Sequence, residues 1–315
     1  MEGHNNSQSN PKFSIVVPVF NEKSNLIILH ERLTKVMENF GKSYEIIFID
    51  DGSKDVSWNI VEQLHSKDNN VKGLKFSRNF GHHVALTAGM DISKGDAVIL
   101  MDADLQDQPE EIPVLYKKFQ EGYDVVFGIR KERQHNLLKR ITSKIFLFFM
   151  NRIVDSDVPI NSHIFRIMSR RIVDTIKQFR ERERFITGLI SFVGFKQTGV
   201  KIKHGKRFSG KTKYGLGKLI MLALNTLTSF SYKPLQLASI IGAIVSLFSF
   251  CCIIYLVIKK LIFDIPIMGW TSIMVTVLFI GGVQMLFLGI LGEYIGRTYS
   301  EVQNRPIYIV EDKLV

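Results

Sequence analysis

Short apolar runs alternate with longer stretches of helical period over the first 130 residues. Phe13–Val19 is a β-rich run, followed by Asn21-Glu22 and a helical pattern to about residue 39. Residues 44–49 form a second run that ends in Asp50-Asp51-Gly52-Ser53, and a helical pattern covers 55–65. Val71–Phe76 is a third run, with a helix opening near Gly81; residues 97–101 and 124–129 are a fourth and a fifth. Buried strands alternating with helices of this length predict an α/β domain, a mostly parallel sheet covered on both faces.

In such sheets ligands sit beyond the carboxyl ends of the strands. The polar signatures fall there repeatedly: Asn21-Glu22, Asp50-Asp51-Gly52-Ser53, Ser77-Arg78-Asn79 and Asp102-Ala103-Asp104. The last is the most informative. Read as a continuing strand, it turns Asp102 and Asp104 to one side, since residues i and i+2 share a face. Two carboxylates there suit Mg²⁺ or Mn²⁺, which take oxygen ligands from one or two carboxylates plus substrate phosphates. A lone Asp-x-Asp is more often a polar turn; the four coincident signatures shift the balance.

The pattern changes after Lys233. Residues 234–258 carry no charge, and neither do 265–292. Each exceeds the roughly 20 apolar residues that cross a bilayer, so two membrane spans are expected. Lys201, Lys203, Lys206, Arg207, Lys211, Lys213, Lys218 and Lys233 precede the first span, against Lys259 and Lys260 in the connecting loop. By the positive-inside rule the N-terminal domain, the tail 293–315 and both termini are cytoplasmic. Residues 1–12 are polar, without the apolar core of a secretory signal. The expected layout is a disordered tail (1–12), the α/β domain (13–215), a juxtamembrane helix (216–233) and the two spans. Residues 137–152 combine basic and strongly apolar positions and suit a helix lying in the headgroup region, as does the juxtamembrane segment.

Charge narrows the partners. The net formal charge is +11, with a pI of about 9.5, which favours an anionic partner such as a nucleotide or a phospholipid surface. Cys251 and Cys252 are adjacent within an apolar segment and form neither a disulfide framework nor a zinc site. The absence of Gly-x-Gly-x-x-Gly after the first strand argues against a dinucleotide oxidoreductase. Residues 205–212 match the Walker A pattern, yet they precede the membrane segment rather than joining the first strand to its helix. A basic loop that closes over phosphates is the better reading.

With these residues in order, the chain resembles the inverting GT-A glycosyltransferases of family two, and within them the polyprenyl-phosphate glycosyltransferases with two C-terminal spans. The resemblance runs from Phe13 to Val310. It rests on residues 17–22, 50–53, 78–81, 102–107, 165–169 and 229–231, and on Leu288-Gly289-Ile290-Leu291-Gly292-Glu293-Tyr294-Ile295-Gly296-Arg297. It implies a GT-A domain, transfer of a hexose, with UDP-linked glucose preferred, to polyprenyl phosphate, and a homotetramer; no nucleic-acid partner is expected. Pro18, Phe20, Asn21, Glu22, Asp51, Ser77, Asn79, His82 and Ala103 would bind the nucleotide sugar, Asp51 through the base. Asp102, Asp104 and Gln106 would hold the metal against the diphosphate. Arg130, Arg166, Arg207, Lys211 and Lys213 would take donor or acceptor phosphates, with Arg166 joining Asp102 and Asp104 as catalytic. His82 and His83 would open the helix after Phe80-Gly81.

One departure affects the chemistry. The family commonly has an acidic residue before Phe165 as catalytic base, and here it is Ile164; Asn161 and His163 also differ. A phosphate monoester has a second pKa of about 6, so it attacks without being deprotonated. Catalysis is therefore expected to survive, with His163, Asp155 or Asp157 as weak substitutes. UDP-N-acetylhexosamine or GDP-mannose as donor stays open, as does an inactive membrane-anchored nucleotide-sugar-binding scaffold.

Overall fold

The computed structural model describes residues 11–130, 164–182, 184–203, 205, 233–263 and 269–315. The chain divides into two compact units, Met1–Lys213 with Arg305–Val315, and Tyr214–Asn304. The first contains β1 (Phe13–Val19), α1 (Leu26–Phe40), β2 (Tyr44–Asp50), α2 (Ser57–Lys67), β3 (Val71–Phe76) and α3 (His82–Ile92). It continues with β4 (Ala97–Leu100), a 3-10 turn (Pro109–Glu111), α4 (Ile112–Phe119) and β5 (Val125–Arg130). Next come β6 (Arg166–Ser169), α5 (Arg170–Ile176), α6 (Ile186–Phe192), β7 (Gln197–Ile202) and β8 (Val310–Leu314). Just before α2 the Asp55 carboxylate accepts the Ser57 N–H at 3.0 Å, a local turn that precedes the helix.

The described strands form one sheet in the order β7-β5-β6-β4-β1-β2-β3-β8. Strands β1 to β5 and β7 run one way, and β6 and β8 run against them. Alternate residues of β1 serve opposite faces: Phe13, Ile15, Val17 and Val19 pack with α1, α2 and α4 residues such as Leu29, Trp58 and Leu115. Val16 packs on the other side with Ala85 of α3, Ile172 of α5 and Leu189 of α6. The sheet is thus covered on both faces, which is why its strands read as near-continuous apolar runs. Pro18 interrupts no ladder with β4, since the β1·β4 register ends at Val16↔Leu100.

The second unit contains α7 (Lys233–Phe263) and α8 (Trp270–Val302). Among the described residues, one helix is long and apolar enough to cross a membrane, Ser272–Val302. It starts and ends later than the expected 265–292. The other expected span, 234–258, lies on α7, where the qualifying apolar stretch is the shorter Gly242–Cys252.

The segment expected as a tail, 293–315, holds the last turns of α8 and then β8. Strand β8 pairs antiparallel with β3, Val310 opposite Phe76 and Leu314 opposite Gly73. The Tyr308 ring stacks on Phe76 at 5.1 Å, and its hydroxyl donates to Asp91 at 3.0 Å. The chain that follows the apolar helix therefore returns to the sheet and covers the β3 edge, which otherwise presents unpaired backbone groups.

Candidate functional site

Three turns meet at the carboxyl ends of β1, β2 and β3. The Asn21 N–H donates to Ser53 Oγ at 2.9 Å, and Asn21 Oδ1 accepts the Lys54 N–H at 2.8 Å. Asn21 takes a positive φ of 57° to make both bonds, a conformation that Asn tolerates better than most residues. Glu22 is fixed beside it, its N–H donating to Ser57 Oγ and its carboxylate accepting from Asn25 at 2.6 Å. Gly52 packs so closely under the next turn that a Cβ there would lie 2.5 Å from the Arg78 carbonyl carbon. Only glycine fits this approach, and its φ of +67° also favours glycine.

Asp51 carries the join between β2 and α3. It is 3% exposed. Its Oδ1 accepts the Phe80 N–H at 2.6 Å, and its Oδ2 accepts the Gly81 N–H at 3.0 Å. Asn79 Nδ2 donates to the Asp51 carbonyl at 3.1 Å. Burial pushes the Asp51 carboxyl up despite these N–H bonds. As placed, the carboxylate holds the turn that starts α3. Ser77 and Asn79 are exposed at that turn, and Phe20 is exposed at the end of β1.

Asp102, Asp104 and Gln106 are each half-buried, while Met101, Ala103, Leu105 and Asp107 between them are buried. Burial alternates along this segment as it would on a strand, yet its cause differs. Strand β4 stops at Leu100, and the alternation is made by a turn in which Leu105 adopts a φ of 60°. Asp104 Oδ1 accepts the Gln106 N–H at 3.0 Å, and the Gln106 carbonyl accepts the Gly205 N–H at 2.9 Å. That second bond anchors Gly205, the first residue of the Walker-like basic stretch, at the acidic turn. Arg207, Lys211 and Lys213, expected at phosphates, lie outside the described residues, as do Asp155, Asp157, Asn161, His163 and the segment 137–152.

His82, the first residue of α3, places Nε2 2.8 Å from Asp102 Oδ1. His83 is packed beneath, its ring edge-on to His82 at 5.7 Å and to Phe185 at 5.4 Å. Burial, then the neighbouring His82, lowers the His83 pKa to about 4, so this ring is neutral at pH 7. Arg166 opens the antiparallel strand β6, opposite Leu100 of β4 and Phe127 of β5. It therefore starts at the same sheet edge as the acidic turn. Its guanidinium is turned inward, 2% exposed, with Nε donating to the Ile164 carbonyl and Nη2 to Thr187 Oγ1. Burial lowers its pKa to about 10. In this structure it ties β6 to α6. Arg130 ends β5 at this edge.

Residues 14–177 match Glycosyl transferase family 2. The chain belongs to that family. As a family 2 glycosyltransferase it is 42% identical over 301 residues to a "Bactoprenol glucosyl transferase" of Shigella phage SfII, covering 95% of this chain and 97% of that one. It is also 42% identical over 301 residues to the "Uncharacterized glycosyltransferase YkcC" of Bacillus subtilis (strain 168), covering 95% and 93%. Glucosyl-3-phosphoglycerate synthase from Mycobacterium tuberculosis, crystallised with Mn²⁺ and UDP-glucose, aligns over 69% of this chain and 77% of its own at 15% identity, with a TM-score of 0.46.

In this glycosyltransferase the structure brings Asn21, Glu22, Asp51, Ser77, Asn79, His82, Asp102, Ala103, Asp104 and Gln106 to one sheet edge. Sequence reasoning missed the His82–Asp102 bond and the part played by the segment 184–187. Nothing in sequence spacing signals either, because each joins elements far apart in the chain.

Proposed function

We propose that the protein transfers glucose from UDP-glucose to polyprenyl phosphate at the cytoplasmic face of a membrane, with inversion at the anomeric carbon. The observation that carries this reading is the near full-length identity to the phage bactoprenol glucosyl transferases. The phosphate acceptor removes the need for a catalytic base, so Ile164 at the usual acidic position is no obstacle: a phosphate monoester is largely dianionic at pH 7.

The donor set at the acidic turn fits Mg²⁺ or Mn²⁺. Carboxylate and amide oxygens are the hard ligands these ions take, and Asp102, Asp104 and Gln106 are the partly exposed residues of this turn. A bound ion would supply charge neutralisation of the departing diphosphate. The chain's own residues do the rest. Asn21, Glu22 and Asn79 line the nucleotide pocket on turns that Asp51 and Gly52 lock together. The N-terminus of α3 adds positive potential toward the diphosphate. The basic stretch that begins at Gly205, with Arg207, Lys211 and Lys213, would close on phosphate oxygens, and Arg130 would take an acceptor or donor phosphate.

Chain connectivity supports two membrane crossings. Strand β8 follows α8 yet pairs with β3, which precedes both long helices. One crossing would leave these strands on opposite sides of the bilayer, so the number of crossings is even. Helix α7 is the candidate for the second crossing: its 31 residues span about 46 Å at 1.5 Å each, longer than the ~30 Å hydrocarbon core. The basic residues before α7 then set the catalytic unit and both termini in the cytoplasm. A homotetramer remains part of this reading.

Incubating purified protein with polyprenyl phosphate and either UDP-glucose, UDP-N-acetylhexosamine or GDP-mannose tests the substrate assignment by mass spectrometry of the lipid. A hexosyl phosphate lipid from UDP-glucose is expected. UDP binding without product from any pair would support the inactive scaffold instead.

A further inference from the structure

We infer that His82 is a positioning residue that orients the Asp102 carboxylate for the metal ion; the inference rests on the metal-dependent reading above. An ionised carboxylate only accepts hydrogen bonds, so the 2.8 Å contact requires the hydrogen on His82 Nε2. The bond ties down Asp102 Oδ1 and leaves Oδ2, which has no hydrogen-bond partner among the described residues. A carboxylate fixed through one oxygen offers the other as a single-point ligand. That suits an ion that demands near-octahedral geometry and takes few protein ligands.

His82 is itself held through its backbone and through its ring. Gly81, immediately before it, is gripped by the Asp51 carboxylate at 3.0 Å. Gly81 has a φ of 105° and ends the turn so that His82 is the first residue of α3. The His83 ring meets His82 edge-on, and Phe185 of the chain entering α6 backs His83 in turn. This arrangement explains why Asp51 is turned inward. Its carboxylate sets the turn, the turn sets His82, and His82 sets Asp102. Stability is a poor explanation for the pair, because the two side chains are 41% and 31% exposed and exposed ion pairs contribute little. Partners that orient a metal's ligands have a larger and more specific effect, about 10–100-fold in metal affinity.

The test is Mn²⁺ titration of the full-length protein saturated with UDP, followed by the electron paramagnetic resonance signal of free Mn²⁺. His82→Ala should weaken Mn²⁺ by about 10–100-fold, with the melting temperature unchanged. His82→Gln, whose amide can still donate, should recover part of the loss. Unchanged Mn²⁺ affinity in His82→Ala, beside wild-type protein that binds Mn²⁺, overturns the role of His82 alone. Wild-type protein that binds UDP but no Mn²⁺ overturns the metal reading and this inference with it. A His82→Gln variant as weak as His82→Ala, with intact melting, also contradicts a role that rests on the donated hydrogen bond.

Discussion

Strand β2 begins and ends in acid, and its two ends use their carboxylates in opposite ways. At the start, Glu45 is buried and fully answered: Ser14 Oγ donates to it at 2.5 Å, the Lys94 N–H at 2.7 Å and Lys72 Nζ at 2.6 Å. Burial raises the Glu45 pKa, but these bonds outweigh it and the net shift is downward. At the other end Asp50 and Asp51 are also buried, yet burial prevails and both carboxyls are pushed up. Among the described residues, Asp50 Oδ2 is buried without a hydrogen-bond partner. The far edge satisfies its polar groups and gains stability; the site edge gives some up to hold turns in place. A domain whose conformational stability is only about 5–15 kcal/mol feels that difference.

Substitutions break this contrast in order of effect. Asp104→Ala should lower glucosyl transfer about 10²–10³-fold, the cost of removing one transition-state stabiliser, while the melting temperature stays put. Loss of folding instead of turnover would move Asp104 to the structural class. Glu45→Ala should do the reverse, destabilising by roughly 3 kcal/mol because Lys72 loses its buried partner, with the folded fraction still active. Gly52→Ala should cost about 1–3 kcal/mol through strain at its positive φ and raise the KM for UDP-glucose, since the Arg78 turn must shift. Its melting curve and KM read the two effects separately.

Acid titration separates the groups by sign. His83 has a folded pKa of about 4 against 6.5 unperturbed, so the unfolded chain binds the extra proton in that window. Stability from His83 is present above pH 6.5 and is lost as pH falls toward 4, by at most about 1.4 kcal/mol per pH unit. Glu45 adds a loss of the same sign once pH falls below 4.5. Asp50 and Asp51 act oppositely, weakening the fold as pH rises above 3.8. Denaturant melts of His83→Leu should show a flatter slope between pH 6.5 and 4, and an unchanged slope would contradict the buried neutral ring. Smallest of all, Glu311→Ala removes a partly exposed partner of Lys75 on β8 and should cost under about 1 kcal/mol.

Much of the donor half was legible in the chain. Strands β1 to β5 announce themselves as apolar runs because both sheet faces are covered, and their polar ends fall where a parallel sheet places ligands. Strand β6 was not, since it is four residues long and opens on a buried arginine, Arg166, whose charge reads as surface. Strand β7 alternates weakly through Gly199, and β8 carries Glu311, Asp312 and Lys313, the composition of a tail. Its pairing with β3 is a long-range contact that no local pattern encodes. The acidic turn shows the subtler failure. Its exposed-buried alternation was readable, but a left-handed Leu105 produces it, not a strand. The bonds from Asp51 to the turn that opens α3 were not legible either, because motif spacing cannot tell which way a carboxylate turns.

The most direct test of the account is the anomeric configuration of the lipid product, read by proton and phosphorus NMR after purified protein converts UDP-α-glucose and polyprenyl phosphate. Attack by the lipid phosphate at the edge that holds Asp102 and Asp104 predicts β-glucosyl phosphate. An α-linked product, or glucose released to water with no glucolipid formed, would contradict it.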